Sequence, residues 1–237
     1  MRLPVITGFG GINPAGRLSF HNAYRRLVID ALTQDQQSRT YKSLAGLMGV
    51  ATPDDPASRK YILDNTLIRR IEHFDPQEVY TQRLARLRTA KESTPLKFVL
   101  HERQLPQHIP PSWQVEQIDD KQVRVSVTGE LETLLPDIRR SRVSCAGQLP
   151  TGFNPGDLYQ SRSHPRGLQL TVYAASDALR STGIDIERLK EVVPPDQMAV
   201  YSSSAMGQLD KDGFGALFQN PMCGKRPTSK NVALGLT

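Results

Sequence analysis

The residues whose types could carry chemistry are few in this chain: one glycine-rich turn, two cysteines, five histidines and one run of serines. Gly8-Phe9-Gly10 follows the short apolar run Leu3 to Thr7, and glycines after a strand can cradle a phosphate. The dinucleotide fingerprint also requires glycine at position 13, which is Asn13, and an acidic residue ending a second strand, which is missing. A catalytic cysteine needs an activated thiolate, usually at a helix N-terminus near a histidine. Cys145 stands in Val143-Ser144-Cys145-Ala146-Gly147, on or beside a strand, and Cys223 in the turn Pro221-Met222-Cys223-Gly224-Lys225. His21, His73, His101, His108 and His164 make no pair at metal-ligand spacing, with one another or with the cysteines. Ser202-Ser203-Ser204 lacks the G-x-S-x-G frame of a nucleophile elbow and reads as a small-residue turn. No catalytic, cofactor-binding or metal-binding residue is assigned, and no cofactor is expected.

The glycine turn sits in the best-patterned stretch. Leu3 to Thr7 predicts a buried strand. Ser19 predicts a helix cap, and Phe20, Ala23, Tyr24, Leu27, Val28, Ala31 and Leu32 recur at spacings of three and four, which predicts a helix of about thirteen residues. Strand, glycine turn and amphipathic helix open an α/β layer. A short helix is expected at Ser43 to Val50, ended by Gly49 and the Pro53–Pro56 segment. Ile68 to Tyr80 predicts a strand or turn and then a helix begun at Asp75-Pro76. Arg83 to Lys91 predicts a basic helix, Lys97 to Glu102 a strand, and Leu105 to Trp113, with Pro106, Pro110 and Pro111, a loop. Val123, Val125 and Val127 alternate with polar residues as in a half-buried strand. Trp113, the only tryptophan, is expected to anchor this segment to the main core. Further on come a strand at Arg142 to Gly147, a turn at Phe153 to Gly156, and a helix with Leu168, Val172, Tyr173, Ala175, Ser176 and Leu179 on one face, ended by Gly183. Met198 to Tyr201 predicts a buried strand leading into a turn at Ser202 to Gly207. The last residues, from Pro221, look like a segment that continues onward.

Bulk composition narrows the function classes. The hydrophobic fraction of 38%, with 17 prolines and 17 glycines, predicts a folded scaffold carrying an irregular polar segment. The net charge of +6 attracts polyanions or an acidic protein. Arg139, Arg140 and Arg142 form the densest basic run, and Arg83, Arg86 and Arg88 a looser one, yet no nucleic-acid-binding signature accompanies them. No apolar run approaches the ~20 residues of a membrane helix. The N-terminus is unlike a signal peptide, and two distant cysteines make no disulfide framework. The expectation is a cytoplasmic protein with no nucleic-acid or membrane partner.

Four segments, in order, resemble the β-ketoacyl-acyl carrier protein synthases, the condensing enzymes of the thiolase-like superfamily. Pro4-Val5-Ile6-Thr7-Gly8-Phe9-Gly10-Gly11-Ile12-Asn13-Pro14-Ala15-Gly16 resembles the family's opening V-V-[VI]-T-G-x-G-x-x-[ST]-P-x-G. Ile68 to Tyr80 resembles its I-x-x-[IF]-x-x-F-D-x-x-x-Y segment. Cys145 to Asp157 resembles A-G-x-[VI]-x-x-F-[DN]-P. Arg166 to Gly207 resembles a helix ending A-L-x-x-[AS]-G followed by a strand and a glycine-containing loop, although Ser202-Ser203-Ser204 stands where glycine is common. The resemblance covers about half the chain and implies a divergent bacterial subgroup.

The resemblance implies the N-terminal part of a thiolase-like α/β fold (αβαβα layers) with an irregular α+β insertion. Residues 1–81 start the first half of that fold, 82–140 are the insertion, and 141–237 continue the first half, incomplete. It also implies decarboxylative Claisen condensation of malonyl and acyl thioesters in fatty-acid or polyketide synthesis, acyl carrier protein as partner, and a homodimer for the full-length enzyme. In the family a cysteine at a helix start, two histidines and a lysine do the chemistry, in motifs that lie downstream of the matched segments. The chain is expected to end before them and to be inactive alone, and Cys145 and Cys223 inherit no role. Two other readings stay open here: a non-catalytic thiolase-like accessory protein, and a nucleotide-binding α/β protein with Gly8 to Gly11 at the phosphate.

Overall fold

The computed structural model describes residues 5–89, 93–199, 201 and 208–235. In chain order these form β1 (Ile12–Asn13), β2 (Gly16–Arg17), α1 (Asn22–Leu27), α2 (Gln34–Met48), α3 (Pro56–Asp64) and β3 (Ile68–Arg70). Next come β4 (Val79–Leu87), β5 (Leu96–His101), β6 (Trp113–Gln117), β7 (Gln122–Val127) and β8 (Leu131–Arg139). Last are β9 (Cys145–Gly147), α4 (Arg166–Ser181), α5 (Ile186–Val192), α6 (Phe214–Met222) and α7 (Ser229–Gly235). The chain divides into two compact units, one of residues 1–72 and 145–237, the other of residues 73–144.

In the first unit the core lies between α2 and α3. Thr33 caps α2 by accepting from the Gln36 amide, while the Gln36 side chain accepts from the Thr33 amide. Two otherwise orphaned amides at the helix start are thereby satisfied. Gly49, in the left-handed region, ends the helix. The end of the expected helix is therefore right, and its start lies nine residues earlier than Ser43. Ile29, Tyr41, Leu44, Ala45, Met48 and Ile62 close into one apolar cluster. Helix α3 went unread in the sequence, although Asp55 accepts from the Ser58 amide and Pro56 takes the first turn. Strands β3 and β9 pair antiparallel, with Arg70 opposite Cys145.

The expected thirteen-residue helix after Ser19 is broken. Phe20 and His21 both adopt left-handed backbone, and the regular helix is confined to Asn22–Leu27, followed by a 3₁₀ turn at Ile29–Ala31. Ser19 caps nothing. The expected first strand, Leu3 to Thr7, lies partly outside the described residues, and its described part, Val5 to Thr7, pairs with no strand. A strand needs a neighbour for its backbone groups, and none lies beside this one among the described residues.

The described residues of the second unit form five strands and a 3₁₀ turn at Glu102–Gln104. Strands β4 and β8 form an antiparallel ribbon in register from Val79–Arg139 to Leu87–Leu131. Strands β5, β7 and β6 form a three-stranded sheet in that order. The alternation of Val123, Val125 and Val127 is obeyed, and all three are buried against Phe98, Trp113, Val115 and Leu131. Trp113 meets Phe98 edge-on at 5.9 Å, so it anchors this unit's own core rather than a shared one. Two expected helices are absent among the described residues, and Ala90 and Lys91 of the second lie outside them. Asp75-Pro76 opens a turn in which the Asp75 carboxylate accepts from the Gln77 amide, and Arg83 to Leu87 is strand. Apolar residues at 80, 84 and 87 fit helical spacing, whereas in the strand 79 and 87 fall on one face and 80 and 84 on the other, so pairing with β8 overrides the local pattern.

Candidate functional site

Asp177 is the most constrained charged residue in the described structure. It lies on α4, four residues after Tyr173 on the same helix face, and is 3% exposed. One carboxylate oxygen, Oδ2, accepts from the Gly11 amide at 3.1 Å and the Ser19 amide at 3.2 Å. The other, Oδ1, accepts from the Ser19 hydroxyl at 2.8 Å and from Arg17 Nε and Nη2 at 2.9 and 2.6 Å. Burial by itself would push this carboxyl up. The bonds from Gly11, Ser19 and Arg17, with the Arg17 charge, outweigh it and hold the group below the usual carboxylate value.

The glycine turn is shaped around this anchor. A Cβ on Gly10 would stand 2.1 Å from the Ala178 amide nitrogen, so glycine is required for the segment to lie against α4. The Phe9 amide donates to Ser181 Oγ at 3.0 Å. Gly11 leads into the β1–β2 hairpin rather than into a helix. The amides of Phe9 and Gly11, which a phosphate cradle would present, are thus occupied by α4 side chains. Beside the anchor lies a cleft of ≈ 200 Å³ lined by Pro155, Leu158, Tyr159, Val172, Tyr173 and Arg180, among others. Burial, more than the nearby charges, raises the Tyr173 phenol. Five donors from Gly11, Arg17 and Ser19 fill both carboxylate oxygens, which ties these residues to α4.

The residues whose types suggested chemistry are dispersed. Cys145 is exposed on β9 and Cys223 is exposed immediately after α6, so neither opens a helix. His21 meets Phe9 at a tilt, with ring centres 5.2 Å apart, and His164 Nδ1 lies 3.0 Å from the Tyr159 hydroxyl. Among the described residues no three His, Cys, Asp or Glu converge as a metal site. Ser202-Ser203-Ser204 and the rest of the turn to Gly207 lie outside the described residues, as does Val200 of the expected strand. Its described neighbours, Met198, Ala199 and Tyr201, are not in a strand.

The basic residues fare unequally. Arg83 pairs with Asp137 at 3.2 Å, Arg86 with Glu132 at 2.9 Å, and Arg139 with Asp137 at 3.7 Å, all along the ribbon. Arg88, Arg140 and Arg142 are exposed and have no ion pair among the described residues. Asp177 itself was not singled out from the sequence. Its signal was a lone carboxylate on the face that carries Tyr173.

These features define a mixed α/β protein with the thiolase-like fold, in which the opening glycine segment is tied down by a later helix. The chain belongs to the β-ketoacyl-acyl carrier protein synthase family. It is 43% identical, over 99% of its length, to the β-ketoacyl-[acyl-carrier-protein] synthase FabY of Pseudomonas aeruginosa, and spans 40% of that protein. The crystal structure of the ketosynthase FabY from the same organism superposes with a TM-score of 0.83 at 41% identity, covering 99% of this chain and 40% of that one. No family profile matches the chain. Among the described residues no helix is long and apolar enough to cross a membrane.

Proposed function

We propose that this chain is the N-terminal, non-catalytic portion of a β-ketoacyl-acyl carrier protein synthase, which condenses malonyl and acyl thioesters with loss of carbon dioxide. The observation that carries the reading is the 43% identity to FabY, sustained over 99% of this chain and only 40% of that enzyme. Cys145 and Cys223 carry no role in the reaction, because neither thiol begins a helix whose dipole would stabilise a thiolate. The test is a condensation assay on the 237-residue chain with acyl and malonyl carrier-protein thioesters. No turnover is expected, and any turnover abolished by replacing either cysteine overturns the reading.

Within this proposal residues 82–140 are an insertion in the condensing fold, the enzyme works in the cytoplasm as a homodimer, and its partner is acyl carrier protein. A basic surface speeds encounter with an acidic partner. Arg83, Arg86, Arg88, Arg139 and Arg140 are the candidates for that surface, and Arg83, Arg86 and Arg139 are engaged by ribbon carboxylates, which leaves Arg88 and Arg140 as the available charges. Weak carrier-protein binding that falls as salt rises is expected, and affinity independent of salt contradicts this role.

A further inference from the structure

Where β8 runs out, the second unit carries a cleft of ≈ 520 Å³ lined by Pro76, Gln77, Arg140, Ser141, Arg142 and Ser144. Its walls are tied together. Pro76 is buried, and its carbonyl accepts from the Ser141 amide at 2.7 Å. The Ser141 hydroxyl donates to the Val143 carbonyl at 2.9 Å and accepts from the Val143 amide at 3.1 Å. On the other wall the Asp75 carboxylate accepts from the Gln77 amide at 2.8 Å. Asp75 and Glu78 flank this wall in sequence, but neither lines the cleft, whose lining holds two positive charges and no negative one.

The arginines of this unit divide by counter-charge. Arg83 and Arg139 share Asp137, and Arg86 has Glu132. Arg140 and Arg142 are exposed and have no ion pair among the described residues. Two like charges at one cleft repel until an anion joins them. A cleft carrying one sign of charge also focuses its field and concentrates counter-ions there. Each guanidinium is a planar fork that fits two oxygens of a phosphate at once. Two forks therefore suit two linked phosphate groups, and the Gln77 carboxamide adds a neutral donor. The volume falls in the range of small-molecule sites, about 300–1,000 Å³, which leaves room for a body beyond the phosphates.

We propose that this cleft binds a small molecule bearing a diphosphate, with one phosphate on Arg140, the other on Arg142, and Gln77 donating to an oxygen of either. The site lies within residues 73–144 and is distinct from the Gly8 to Gly11 turn, where the Phe9 and Gly11 amides are already taken. It shares Arg140 with the surface proposed for carrier protein. Diphosphate binding is measured without carrier protein, so the failure of either reading leaves the other standing.

Calorimetric titration of the 237-residue chain tests it, with inorganic pyrophosphate and adenosine diphosphate as probes in magnesium-free buffer of constant ionic strength. Saturable one-to-one binding of both is expected, about tenfold tighter than that of inorganic phosphate. Equal affinity for the two probes assigns recognition to the diphosphate alone, and tighter adenosine diphosphate assigns the source to a nucleotide; both outcomes sustain the proposal. Arg140→Ala and Arg142→Ala are each expected to weaken binding about tenfold, with far-ultraviolet circular dichroism unchanged. Arg142→Lys keeps the charge but loses the fork, and is expected to weaken it about threefold. Arg88→Ala, which removes an exposed arginine outside the cleft, is expected to change nothing. Absence of saturable binding by either probe overturns the proposal. So does binding that survives loss of both Arg140 and Arg142, or that falls as much in Arg88→Ala, since the attraction would then be diffuse. Should a variant fail to fold, amide chemical shifts of the wild-type chain decide. Pyrophosphate is expected to move those of Gln77 and Arg140 to Ser144, and shifts centred elsewhere overturn the assignment.

Discussion

Asp177 joins three sequence-distant groups on one carboxylate, and its pH dependence follows from which state binds the proton. Its pKa is depressed on folding, so the unfolded chain takes up a proton first as pH falls. The stabilisation is in full force above the unfolded carboxyl value of about 3.9 and is lost as pH falls through the lower folded value. Denaturant titrations of wild type and Asp177→Asn should therefore converge as the medium is acidified below about pH 4. At neutral pH Asp177→Asn is expected to cost about 2–4 kcal/mol, because its amide nitrogen cannot accept from the Gly11 and Ser19 donors and Arg17 loses its counter-charge. Gly10→Ala attacks the same junction sterically. With a Cβ driven against the Ala178 amide, the segment must lift from α4, and a loss of about 1–3 kcal/mol in the same titration is expected. Arg26 shows the complementary device in the first unit. Burial depresses its basicity against the opposing charges of Tyr41 and Asp30, and Thr66 Oγ1 and the Leu63 carbonyl accept from it.

At the scale of elements, the valine alternation of β7 is the clearest case of local pattern deciding structure. Val125 is fully buried between β5 and β6, and Val125→Ala should cost about 2 kcal/mol, read as a lower Tm. Strand β4 is the opposite case. Its apolar residues Tyr80, Leu84 and Leu87 follow helical spacing, and its partner begins 44 residues after its last residue. Contact at that separation is invisible to a local pattern, which is why Arg83 to Lys91 reads as a basic helix. The same pairing turns an apparent basic surface into a neutralised one, since Asp137 and Glu132 arrive only with β8. The broken helix after Ser19 has a similar origin. Its apolar spacing is genuine, but Asp177 holds Ser19 and the backbone turns left-handed at Phe20 and His21.

For the whole molecule, the β3–β9 pairing sets Arg70 opposite Cys145 and so brings the two ends of the first unit together across residues 73–144. Chain ends this close permit excision. Replacing residues 73–144 by a short glycine-serine linker is expected to leave the first unit with a cooperative thermal transition, and a chain with no transition would show that the unit depends on the excised residues. The sequence by itself determined the family, through the order of four short motifs that local backbone demands preserve. It determined the β7 core and the helix ends at Gly49 and Gly183, because alternation and left-handed caps are properties of neighbouring residues. Only the tertiary structure decided that β4 is a strand, that Arg83 and Arg86 are ion-paired, and that Asp177 holds the glycine turn. In each of those the deciding partner lies about fifty to a hundred and seventy residues away along the chain, where only folding brings hydrogen-bond donors and acceptors within reach.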